Sequence, residues 1–117
     1  MKKAILTIVA ILISSICISQ ELSPLSFHIR KVNPEVYYEI ELLVKQKYQK
    51  TDPFFNILVN AQVKSRKKTI EYMDALETDP EGLDKVKKLE KYIVLSIEEI
   101  KGVEVFDWIR LATFLGL

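Results

Sequence analysis

Apolar side chains return every three or four residues through most of this chain, the spacing of helices that bury one face. The first such stripe is Val36, Tyr37, Ile40, Leu43, Val44 and Tyr48, with Glu39, Glu41, Lys45 and Lys47 on other faces. It predicts a helix over residues 34–50. The second stretch, residues 53–77, is apolar at its ends: Phe54, Ile57, Leu58 and Ala61, then Ile70, Met73 and Leu76. Its middle, residues 62–69, is polar apart from Val63. A third stripe runs through Leu83, Val86, Leu89, Ile93, Ile97 and Ile100. It predicts a helix ending at Lys101, with Gly102 as a left-handed C′ residue and Val103 closing a Schellman-type cap.

The starts of these helices are marked by Asn33-Pro34, Asp52-Pro53 and Asp79-Pro80. Asn or Asp caps the free N–H groups, and proline at the first position loses no hydrogen bond. The third start has two readings, because Asp79-Pro80-Glu81-Gly82 also fits a type I turn. The helix then begins either at Pro80 or near Asp84. The tail is rich in large apolar residues: Val105, Phe106, Trp108, Ile109, Leu111, Phe114 and Leu115. It predicts a short, packed fourth helix whose Trp108, Phe106 and Phe114 anchor the core. Residues 103–106 also have strand character, but no partner strand is evident. Residues 20–32 show no clear period and read as an extended arm, packed through Leu22, Leu25, Phe27 and Ile29.

Short links between the predicted helices force antiparallel neighbours. The expected fold is therefore all-α: an up-down-up bundle of three main helices closed by a short C-terminal helix. Residues 20–117 form one domain, with the arm at 20–32 and the bundle at 33–117.

Ahead of this domain the pattern changes. Lys2 and Lys3 precede an apolar run over residues 4–18, and the chain turns polar at Gln20-Glu21. A basic start, an apolar run of this length and small residues at Cys17 and Ser19 read as a secretory signal cleaved after Ser19. The segment resembles a bacterial export signal over residues 1–19. The run is shorter than the roughly 20 residues of a membrane anchor. A lipoprotein signal needs a small residue before its cysteine, and here Ile16 precedes Cys17. The expected location is periplasmic or extracellular, with membrane contact only through an uncleaved signal or a weak surface interaction.

Loss of residues 1–19 leaves 98 of the 117 residues, enough for one domain. It also removes Lys2 and Lys3, taking the basic count from 17 to 15 against 16 acidic residues. So even a balance argues against nucleic acid as a partner. Cys17 is the only cysteine, so the domain has no disulfide, thiolate metal site or cysteine nucleophile. Three glycines, Gly82, Gly102 and Gly116, do not build a phosphate loop.

Catalytic patterns are absent. His28 is the only histidine and has no neighbour at metal-ligand spacing. Ser23, Ser26 and Ser96 lie in no nucleophile elbow. The carboxylate pairs Glu35/Glu39, Glu71/Asp74 and Glu98/Glu99 alternate with lysines, as solvated helix faces do. No cofactor, catalytic residue or metal ligand is expected. The sharpest charge feature is Lys64, Arg66, Lys67 and Lys68, which reads first as a solvated helix face and second as a candidate patch for an anion or an acidic partner. Lys64 and Lys68 share a helix face and Arg66 points away. Five tyrosines and Trp108 are explained mostly by packing, and they also suit a surface that binds another protein. The leading expectation is an exported, non-enzymatic interaction protein, in one version an inhibitor or toxin-neutralising binder. The alternative is an envelope-surface or anionic-ligand binder using the basic segment, and a carboxylate hydrolase ranks last.

Overall fold

Asn33 ends one helix and starts the next. Its backbone N–H donates to the Ile29 carbonyl at 2.8 Å, and its Oδ1 accepts from the Val36 N–H at 3.5 Å. This computed structural model describes residues 21–117. The predicted export signal, residues 1–19, lies outside the described residues. Helix α1 spans Pro24–Val32 and α2 spans Pro34–Lys45. The expected extended arm is therefore a helix. Ser23 caps it, accepting from the Ser26 N–H at 3.1 Å, and Pro24 occupies the first turn. A serine followed by proline is a helix start, obscured in the sequence because α1 buries only Ser26 and Ile29.

Helix α2 stops short of the expected residue 50. Gln46 and Lys47 donate to the carbonyls of Leu43 and Val44, the tighter bonding of a closing turn. The next helix, α3, spans Pro53–Leu76, with Asp52 Oδ1 accepting from the Phe54 N–H at 3.0 Å. It agrees with the sequence reading to within a residue.

Helix α4 spans Gly82–Leu95. Before it, the Gly82 N–H donates to the Asp79 carbonyl at 3.0 Å, so residues 79–82 form a turn and the helix follows. Gly82 is required by proximity: a Cβ there would stand 2.5 Å from the Leu76 carbonyl oxygen. The predicted continuation to Lys101 fails. Strands β1, Ile97–Ile100, and β2, Val103–Phe106, pair antiparallel with Ile97 opposite Phe106 and Ile100 opposite Val103. Lys101 and Gly102 form the two-residue turn, with φ of 52° and 80°. Positive φ at both central residues matches the twist of a tight hairpin. Gly102 is thus a turn residue, not a helix cap. Ile97 and Ile100 satisfied a helical stripe by spacing alone, and that hid the partner strand. Helix α5, Trp108–Phe114, follows the hairpin.

The fold is predominantly helical with this one small sheet among the described residues. The packing differs from a bundle around one core. The first half of α3 packs Phe55, Val59 and Val63 against Ile29, Tyr37, Ile40 and Val44 from α1 and α2. The second half places Tyr72, Met73 and Leu76 with Leu89 of α4 and Leu111 of α5. A third cluster joins Leu42 of α2 to Ile100 and Val105 of the hairpin. The polar middle of α3 is the boundary between the two larger cores. Trp108 packs against both of them. Of the predicted anchors, Trp108 and Phe106 are half-buried and Phe114 is exposed. Leu83, expected in the α4 stripe, is also exposed.

Candidate functional site

The basic segment lies where α3 passes between its two cores. A helix turns about 100° per residue, so Lys64, Lys67 and Lys68 fall on one side and Arg66 on another. The three lysines are exposed, and none forms an ion pair among the described residues. Arg66 is half-buried, with its guanidinium 5.7 Å from the centroid of the Trp108 ring. Its Nε is buried and has no hydrogen-bond partner among the described residues. The predicted patch therefore divides into a solvent-facing lysine face and an arginine stacked on the core-joining tryptophan.

A cleft of about 340 Å³ opens between the end of α2, the hairpin and α5. Leu43, Leu58 and Ile109 supply apolar lining, and Lys47, Gln62, Glu98, Asp107 and Arg110 supply polar lining. Gln62 is buried, and both ends of its amide are used. Nε2 donates to Asp107 Oδ1 at 2.9 Å, and Oε1 accepts from the Trp108 N–H at 2.8 Å. Asp107 Oδ1 also caps α5 by accepting from the Arg110 N–H at 3.1 Å. Arg110 Nη2 lies 2.8 Å from Glu98 Oε1 and 3.8 Å from Asp107 Oδ2. At the hairpin base, the Asp107 N–H donates to the Ser96 carbonyl at 2.8 Å. These groups clamp hairpin, α3 and α5 together. Their polar atoms are engaged with one another, an arrangement suited to holding elements in place.

A second polar clamp fixes α1. Asn60 Oδ1 accepts from the Ser23 N–H at 2.8 Å and the Ser26 hydroxyl at 2.7 Å, and its Nδ2 donates to the Glu21 carbonyl. Sequence reasoning missed Asn60, Gln62 and Asp107 as organising residues. The available signals were Asn60 and Gln62, amides beside apolar residues of α3, and Asp107, an aspartate at the N-cap of the apolar helix α5.

The other residues weighed in the sequence are dispersed. His28 is exposed on α1. The Ser96 hydroxyl donates to the Tyr92 carbonyl at 2.8 Å. Partial burial, and secondarily Glu35, raises the Glu39 carboxyl above its ordinary value. Burial raises the Tyr37 phenol, Glu41 adds to that rise, and Arg30 opposes it. The Lys85 ammonium beside Asp79 holds that carboxyl below the usual range. Among the described residues, no three His, Cys, Asp or Glu side chains gather to hold a metal ion.

The C-terminal surface leaves apolar groups in solvent. Phe114 is 41% exposed while its ring stacks on Tyr92, with centroids 5.1 Å apart. Arg110, one turn before Phe114, donates from Nη1 to the Leu95 carbonyl at 3.5 Å. Leu95, at the end of α4, and Leu117 are also exposed. No protein-family model, curated protein or solved structure matches the chain.

Proposed function

We propose that this chain is an exported, non-enzymatic protein that binds another protein through a helical surface. The observation that carries the reading is Phe114, a large aromatic side chain held at the surface by its stack on Tyr92. Aromatic groups that are pre-ordered and open to solvent supply binding area at low entropic cost. The polar network of Gln62 and Asp107 supports the same reading, because it fixes the start of α5, the helix that carries Phe114. Inhibition or toxin neutralisation by this chain is one form the binding takes. The export assignment rests on the pattern of residues 1–19, and intact-mass measurement of the purified protein tests it. A chain beginning at Gln20 is expected, and retained Met1 or a lipid on Cys17 refutes it. For binding, the test compares wild type with Phe114→Asp as bait in an envelope extract. A protein retained by wild type and lost with the variant is expected. A partner held equally by both refutes the role of Phe114.

A second reading is favoured by the lysine face of α3. Lys64, Lys67 and Lys68 are exposed and free of ion pairs among the described residues, so an anionic surface would meet uncompensated charge. No described helix is long and apolar enough to cross a membrane. Sedimentation with anionic vesicles separates the two readings. Binding that disappears by about 0.5 M salt, and with all three lysines changed to glutamine, selects the electrostatic reading.

A further inference from the structure

Leu83 and Val94 are the two most exposed large apolar side chains of the described residues, at 73% and 70%. Both lie on α4, and they bracket its outer face. At about 100° per residue, positions 83, 87, 90 and 94 fall within about 60° of one another. Their spacing of four, three and four is that of a coiled-coil seam. The seam reads Leu83, Lys87, Glu90 and Val94, with Asp84 and Lys91 along one flank. None of these four charged groups forms an ion pair within the described chain.

The order of these residues has a symmetry. Reversing α4 about its midpoint, between Lys88 and Leu89, places Leu83 opposite Val94 and Lys87 opposite Glu90. The same operation brings Asp84 beside Lys91. Every seam contact is then apolar on apolar or positive on negative, and each occurs twice. A partner of unrelated sequence gives no reason for that order, whereas a second copy requires it, because a two-fold interface must complement itself.

We propose that two copies of this chain associate through α4, packed antiparallel about a two-fold axis. Leu83 meets the partner copy's Val94 at both ends of the seam, and Lys87 pairs with the partner copy's Glu90 at its centre. The α4 helix has 14 residues, about 21 Å of seam. Such a contact belongs with small, reversible interfaces. The proposal goes beyond the partner-binding reading and is read at different residues: self-association at the α4 seam, partner capture at Phe114.

Sedimentation equilibrium of the purified protein, up to about 1 mM in about 0.05 M salt, provides the test. A concentration-dependent monomer–dimer equilibrium is expected. Lys87→Glu and Glu90→Lys each place like charges across the seam, and each should weaken dimerisation at least about tenfold. Mixed together, the two variants should form a heterodimer, because the first presents two acidic groups and the second two basic ones. Leu83→Asp should also yield monomer, with an unchanged far-UV circular dichroism spectrum because the side chain is exposed. A wild-type protein monomeric throughout this range overturns the proposal. So does a dimer unaffected by Lys87→Glu and Leu83→Asp, or a mixture of charge variants that remains monomeric.

Discussion

Replacing Trp108 with alanine should cost about 2–4 kcal/mol and uncouple the two halves of the molecule. An aromatic side chain buries about 150–250 Å² when fully enclosed. Trp108 is half-buried, so about 150 Å² is a reasonable share, worth roughly 4 kcal/mol at about 25 cal/mol per Å². That figure is an upper bound, since unfolded chains already bury some area. The stack of Arg66 on the ring adds about 0.5–1 kcal/mol, and water entering the half-open site offsets part of the loss. The backbone N–H of residue 108 keeps its bond to Gln62, so that contribution persists. Because Trp108 packs against both larger cores, its removal leaves them joined chiefly through α3. Urea unfolding must be followed by far-UV circular dichroism, as Trp108 is the only tryptophan. Amide exchange at Val59 and Leu89, one in each core, reports the coupling. Wild type should exchange both through one global opening, and the variant through two openings of different free energy. A loss below about 1 kcal/mol, or exchange that stays coupled, would refute the joining role of Trp108.

Three further outcomes are expected. Gly82→Ala should lower the melting temperature, although alanine favours helix by about 1 kcal/mol, because its Cβ meets the Leu76 carbonyl at 2.5 Å; a rise on thermal unfolding would show that the turn relaxes freely. Gln62→Leu should cost about 1–3 kcal/mol in denaturant unfolding, by leaving the Trp108 N–H and one Asp107 contact unmatched; a neutral result would mean that water replaces the amide. Asp79 has a depressed carboxyl pKa, so its contribution is present above the ordinary aspartate range and lost as pH falls through the folded value. Asp79→Asn should therefore flatten the acid limb of stability against pH below about 4, and an unchanged limb would show that the Lys85 contact contributes nothing.

Local chemistry alone determined much of this protein. The Asn-Pro and Asp-Pro dipeptides located the starts of α2 and α3, since capping and proline geometry depend only on adjacent residues. The extent of α3 and the division of Arg66 from the neighbouring lysines followed from helical periodicity. Where two local readings competed, tertiary structure decided. Ile97 and Ile100 fit both a helix stripe and a strand, and the hairpin prevails because Ile100 packs with Val105 against Leu42. Ser23-Pro24 was a legible cap, but α1 becomes a helix in the context of Asn60, which lies far along the chain and binds its first turn. The two-core arrangement also lay beyond the sequence. Apolar spacing says which face of a helix is buried, and it does not say against which neighbour. The outer seam of α4 combined both levels: its charges and apolar ends were present in the sequence, but only packing revealed that Leu83 and Val94 remain in solvent.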